Sequence, residues 1–118
     1  MKNLAPHIFR QRLLIEGFYK IQVDEKVIKE YFHEVTNALQ LRMYGEPIIF
    51  SPEGLGQKEN QGYDAFVPLI DSGISVYIWS NAKFLSIVIY TCKGFDENRA
   101  IEVTKNFFEI DDIEFQSF

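Results

Sequence analysis

Residues 74–79 and 84–90 alternate between apolar and mixed positions. Ile74, Val76 and Ile78 fall on one side of the first run, with Ser75, Tyr77 and Trp79 on the other. Leu85, Ile87 and Ile89 likewise oppose Ser86, Val88 and Tyr90. A period of two predicts strands with one face on a core, and residues 48–50 and 65–70 read as two more. Val27, Ile28, Tyr31, Phe32, Val35 and Leu39 instead recur at spacings of one, three and four, which predicts a helix capped by Asp24. A second helix follows Asp96, its stripe made of Ala100, Ile101, Val103, Thr104, Phe107 and Phe108. In residues 9–21, Leu13, Leu14 and Ile15 run together. They predict a strand buried on both faces, with Gly17 at a bulge or a close backbone approach. Residues 113–118 supply a last strand.

The order is therefore β-α-β-β-β-β-α-β. Asp71-Ser72-Gly73 and Ser80-Asn81-Ala82-Lys83 are short links that predict antiparallel neighbours. Ser51-Pro52-Glu53-Gly54 reads as a turn opening a polar loop that runs to Gly62. The expected architecture is α+β: a two-layer sandwich, an antiparallel sheet with both helices on one face. Tyr77, Trp79, Val88 and Tyr90 are a poor solvent-facing set, so the other face calls for a partner. A homodimer with αββα layers answers that need.

Composition narrows the function classes. The 118 residues suit one domain, 1–118, and the 47% hydrophobic and 25% charged content is that of a globular protein. The net charge of −5, with no basic run, argues against nucleic acid as a partner. No apolar run approaches the ~20 residues of a membrane helix, and the first residues lack the apolar core of a signal peptide. One cysteine excludes an internal disulfide and suits a reducing compartment, so the expected location is cytoplasmic. His7 and His33 stand alone, and no Cys/His cluster points to a metal. Ser72 and Cys92 are possible nucleophiles without a base nearby in sequence. Taken alone, Asp-Ser-Gly is an ordinary hairpin turn and Cys92 a small buried hydrophobe.

The stretch Asp71-Ser72-Gly73-Ile74-Ser75-Val76-Tyr77-Ile78-Trp79, with Thr91-Cys92 beyond it, resembles the core of the bacterial and archaeal S-adenosylmethionine decarboxylases. That family's pattern runs Glu-Ser-His-Leu-Ser-Ile-His-Thr-Trp-Pro-Glu and then a strand ending in Thr-Cys. The two fit without a gap, and Phe50-Ser51-Pro52-Glu53-Gly54 is similar to the family's Phe-Ser-Pro-Gln-Gly turn. The resemblance implies a proenzyme that cuts itself before a serine and converts that serine to a covalent pyruvoyl group. This group is the electron sink for decarboxylating S-adenosylmethionine on the way to spermidine, and the protein positions it. By this resemblance Ser72 is the pyruvoyl precursor, Asp71 the acidic residue before the scissile bond and Cys92 the proton-donating thiol.

The departures from the pattern bear on activity. Tyr77 stands where the family has a second histidine that assists pyruvoyl formation, and a phenol, with an ordinary pKa of ~10, is a poor base near neutrality. Gly73 replaces the first histidine. Asn81 replaces the glutamate that holds the substrate's ribose, and Asp64 falls at the serine that assists processing. Trp79 is retained, which predicts an aromatic-lined pocket shared by Ser72, Tyr77, Trp79 and Cys92. The leading expectation is a homodimeric relative with impaired or absent self-cleavage. It would bind an S-adenosyl or amino-acid ligand, or regulate a true decarboxylase paralogue. The alternatives are an active pyruvoyl-dependent decarboxylase of S-adenosylmethionine or another cationic amino acid, with Tyr77 in the histidine's place, and a structural interaction domain that keeps only the fold.

Overall fold

The computed structural model describes residues 1–51 and 61–118. Its elements are β1 (Gln11–Phe18), α1 (Glu25–Ala38), β2 (Ile48–Phe50), β3 (Gly62–Leu69), β4 (Ser72–Trp79), β5 (Phe84–Thr91), α2 (Glu97–Phe108) and β6 (Ile113–Ser117). The strands form one sheet in the order β2-β3-β4-β5-β1-β6, with every pairing antiparallel. The expected element order and architecture are both found. The predicted turn and loop between Ser51 and Gly62 lie mostly in residues 52–60, outside the described residues.

Each helix begins where its cap places it. The Asp24 carboxylate accepts the Val27 N–H and the Asp96 carboxylate accepts the Arg99 N–H, satisfying N–H groups that a first helical turn leaves free. Ile28, Tyr31, Phe32 and Val35 of α1 and Ala100, Val103 and Phe108 of α2 are buried against the sheet. Across the strands the buried row repeats in register, for example Leu13–Ile89–Ile74–Val67 and Ile15–Ile87–Val76–Ala65. Tyr31, fully buried, shares a 2.8 Å hydrogen bond with Thr104, which ties the two helices together.

Three sequence expectations need correction. β1 is not buried on both faces: Leu13 and Ile15 are fully buried, whereas Arg12, Leu14 and Glu16 point to the open face and are half-buried. Gly17 does mark a close approach, since a Cβ there would lie 2.7 Å from the Ile110 side chain. The hairpin between β3 and β4 is tighter than the link Asp71-Ser72-Gly73. Leu69 pairs with Ser72, so the loop is Ile70-Asp71 and Ser72 opens the strand. The chain turns there because Asp71 takes a left-handed φ of 51°, which aspartate tolerates better than most residues. Finally, β3 begins at Gly62, because only glycine fits there: a Cβ would stand 1.8 Å from the Ile78 carbonyl oxygen.

The face opposite the helices is open. Phe66, Tyr77 and Tyr90 are 41%, 38% and 40% exposed on it, and Phe18, Ile48 and Phe50 more so. No described helix is long and apolar enough to cross a membrane.

Candidate active site at the head of β4

The β4–β5 ladder ends at the pair Gly73–Tyr90, leaving Ser72 and Cys92 just beyond it. Side chains continue the connection. The Ser72 Oγ accepts the Cys92 backbone N–H at 2.8 Å and lies 3.5 Å from the Cys92 Sγ. The thiol in turn donates to the Ile70 carbonyl at 3.4 Å. Serine, cysteine and the left-handed Asp71 thus meet at one hairpin. Cys92 is exposed, not the small buried hydrophobe of the plainer reading. Asp71, directly before Ser72, holds a backbone conformation that few non-glycine residues adopt.

Ser72 separates two depressions. On the open face a hollow of about 300 Å³ is lined by Phe66, Gly73, Ser75, Val88 and Tyr90. At the hairpin end a cavity of about 490 Å³ is lined by Leu69, Ile70, Cys92, Lys93 and Arg42. Sequence reasoning missed Arg42, Lys93 and Phe66. A Cβ at Gly73 would come within 2.4 Å of the Phe66 ring, so Phe66 fills the space above a position where a side chain is missing. Nothing local in sequence marks these residues, because the segment after α1, the hairpin and the end of β5 meet only in three dimensions.

The other predicted site residues lie elsewhere. Tyr77 is five positions along β4 from Ser72 and on the opposite sheet face, about 17 Å away at the usual rise per residue. It stands directly across from Asp64 on β3. Trp79 is two residues further, its ring 5.4 Å from that of Phe84, and Asn81 lies in the 80–83 link at the far end of the sheet. The aromatic pocket expected around Ser72, Tyr77, Trp79 and Cys92 therefore does not form within one chain. Strand alternation separates its members, and their sequence proximity was misleading. Among the described residues no group of three or more His, Cys, Asp or Glu side chains could hold a metal.

The model of the S-adenosylmethionine decarboxylase family matches residues 15–118. The chain belongs to the S-adenosylmethionine decarboxylase family. The crystal structure of the adenosylmethionine decarboxylase from Aquifex aeolicus superposes with a TM-score of 0.70. The two share 18% sequence identity over 94% of this chain and 89% of that one, a likeness of fold. No curated protein sequence matches the chain significantly. Decarboxylases of this family generally depend on a pyruvoyl group, and the residues at the head of β4 suit its formation: a serine hydroxyl, a left-handed residue before it and a thiol beside it.

Proposed function

We propose that this chain is a homodimeric member of the decarboxylase family whose self-cleavage between Asp71 and Ser72 is impaired. We further propose that it binds an S-adenosyl or amino-acid ligand at the Ser72–Cys92 site, on its own or in a mixed dimer with an active paralogue. The observation that carries this reading is the pairing of Asp64 with Tyr77 across β3 and β4. By the family's pattern these two positions hold a serine and a histidine that assist processing. They are immediate cross-strand neighbours here, and both have changed. Both changes fall at one spot on the sheet and bear on the same processing step.

The chemistry supports the same conclusion. Acyl shift draws on Ser72, Asp71 and the local hydrogen bonds, all of which are present. The elimination that completes a pyruvoyl group needs a base, and each step of general acid–base catalysis is worth ~10²–10⁴ in rate. A phenol and a carboxylate side by side replace an imidazole and a hydroxyl. In a homodimer closed over the open face, the Asp64–Tyr77 pair would lie in the interface, and that is where it would meet a site it cannot reach within its own chain. The pyruvoyl group, where formed from Ser72, would supply the electron sink for decarboxylation.

The test is the intact mass of freshly purified protein under denaturing conditions. One uncut species of 118 residues is expected. Complete conversion to a 1–71 fragment and a blocked 72–118 fragment would instead establish the active pyruvoyl decarboxylase. Hydroxylamine adds a second reading, since it cleaves a chain stalled at the ester and spares an ordinary amide.

A further inference from the structure

The cavity at the hairpin end has a character opposite to that of the molecule. The chain carries 17 acidic against 12 basic residues, yet Arg42 and Lys93 line this cavity and, among the described residues, no carboxylate does. A neighbouring depression of about 470 Å³ shares Leu41 and Arg42 with it, extends to His33 and Asn37, and is likewise free of acidic lining. Arg42 has no ion-pair partner among the described residues, whose pairs join Lys20 to Asp111, Lys26 to Glu30 and Arg99 to Glu102. Lys93 is held in place by donating to the Gln40 carbonyl at 3.2 Å, which leaves its other protons for a ligand. Leu41, Leu69 and Ile70 give the lining an apolar part beside these cations.

We propose that this cavity binds a small organic carboxylate, its anionic group on Arg42 and Lys93 and its apolar body on Leu41, Leu69 and Ile70. The volume of about 490 Å³ is that of an ordinary small-molecule site, and an apolar bed with a few convergent polar groups is the usual form of one. A guanidinium offers a carboxylate two parallel N–H groups, which favours it over a compact ammonium for this task. The site lies at the Ser72–Cys92 end of β4, apart from the Asp64–Tyr77 pair, and names a subsite of the ligand reading above, on which it rests. Its occupant would cover the Ser72 hydroxyl and the Cys92 thiol from the hairpin side.

Cys92 is the sole cysteine, is exposed and lines the cavity, so its alkylation reports on the local charge. The thiolate displaces iodide from the methylene carbon of iodoacetate or iodoacetamide and takes up a carboxymethyl or a carbamoylmethyl group, so the reagents differ in carrying a carboxylate or a neutral amide. The rate ratio of the two is measured on the full chain against the same ratio for N-acetylcysteine. It is expected to be raised toward iodoacetate, and to fall about fivefold in Arg42→Ala with Lys93→Gln, the scale of one to two exposed charge contacts. Lys93→Gln keeps a donor for the Gln40 carbonyl, and the denaturant midpoint of each variant confirms that it is folded.

Protection then reads the ligand class. Hexanoate is expected to slow iodoacetamide labelling of wild type and not of the double variant, while hexanamide and hexylamine do not slow it. An unaltered ratio in the double variant overturns the proposal. So does equal protection by hexanamide, and so does equal protection by inorganic phosphate, which would leave the apolar lining without a role. The same sample's intact mass reports cleavage independently, so loss of this inference and loss of the reading above are distinguishable.

Discussion

The Ser72 hydroxyl oxygen accepts the backbone N–H of Cys92 at 2.8 Å, just beyond the last ladder pair of β4 and β5, Gly73–Tyr90. The side chain that would undergo chemistry is thus also the latch that fixes the strand ends. Ser72→Ala removes the latch and leaves that N–H to solvent. The expected cost is ~0.5–1.5 kcal/mol in urea unfolding, along with complete loss of any cleavage. Ser72→Thr keeps the hydroxyl and should recover most of the stability.

Tyr77→His together with Asp64→Ser restores the family's residues at both changed positions. The expected outcome is a higher cleaved fraction than in wild type, read by intact mass after incubation at neutral pH, where an imidazole of pKa near ~6.5 can accept a proton. Tyr77→His alone should raise it less. No cleavage in the double variant would place the block at Ser72 itself.

Two glycines of the same hairpin should respond very differently to alanine. At Gly62 the added carbon meets the Ile78 carbonyl oxygen at 1.8 Å, and a backbone atom inside a sheet cannot retreat, so a cost of about 3 kcal/mol or more is expected. At Gly73 it meets the ring edge of Phe66, which is 41% exposed and can swing into the open hollow. There the expected cost is about 1 kcal/mol. Chemical denaturation of both variants gives the comparison.

Burial pushes the Tyr31 phenol well above its ordinary value. Tyr19 is raised in the same direction, chiefly by burial. Raised folded values mean that the unfolded chain gives up these protons first. The stability tied to the protonated phenols is therefore complete below pH ~10 and declines above it, for Tyr31 by up to about 1.4 kcal/mol per pH unit. Tyr31→Phe should flatten that decline. Because the Thr104 hydroxyl already donates to the Ala100 carbonyl at 2.8 Å, the variant leaves no donor stranded and should cost only about 1 kcal/mol at neutral pH.

Closure of a second copy over the open face is testable at Phe66 and Tyr90. Wild type is expected to sediment as a dimer, and Phe66→Glu with Tyr90→Glu to shift it toward monomer and to abolish the dependence of the unfolding midpoint on protein concentration. A wild type that stays monomeric at every concentration would remove the dimer from the proposed function.

Elements governed by local chemistry were legible in the sequence. Asp24 and Asp96 announce their helices through a carboxylate three residues before an N–H, and β4 and β5 show their buried faces because each residue's side is set by parity. β1 misled because Leu13-Leu14-Ile15 looks the same whether Leu14 faces a core or an open sheet surface. The hairpin misled because Gly73 is the residue expected in a turn, while the left-handed conformation falls on Asp71. The site was half legible. Ser72 and Cys92 do meet across the strand ends, but Tyr77 lies on the other face, and the cavity charges at Arg42 and Lys93 come from segments far apart in sequence.

The strand order carries a consequence for any molecule that is cut. A break after Asp71 would assign β2, β3 and β1 to one piece and β4, β5 and β6 to the other. In the sheet these run β2-β3, then β4-β5, then β1, then β6, so each piece is threaded between strands of the other at three ladders. The pieces are interlocked like the teeth of a clasp. A nicked molecule would keep its hydrodynamic size and its native mass and would part only in denaturant. Mixing two separately made halves should rebuild the sheet, a complementation assay that native gels alone would never reveal.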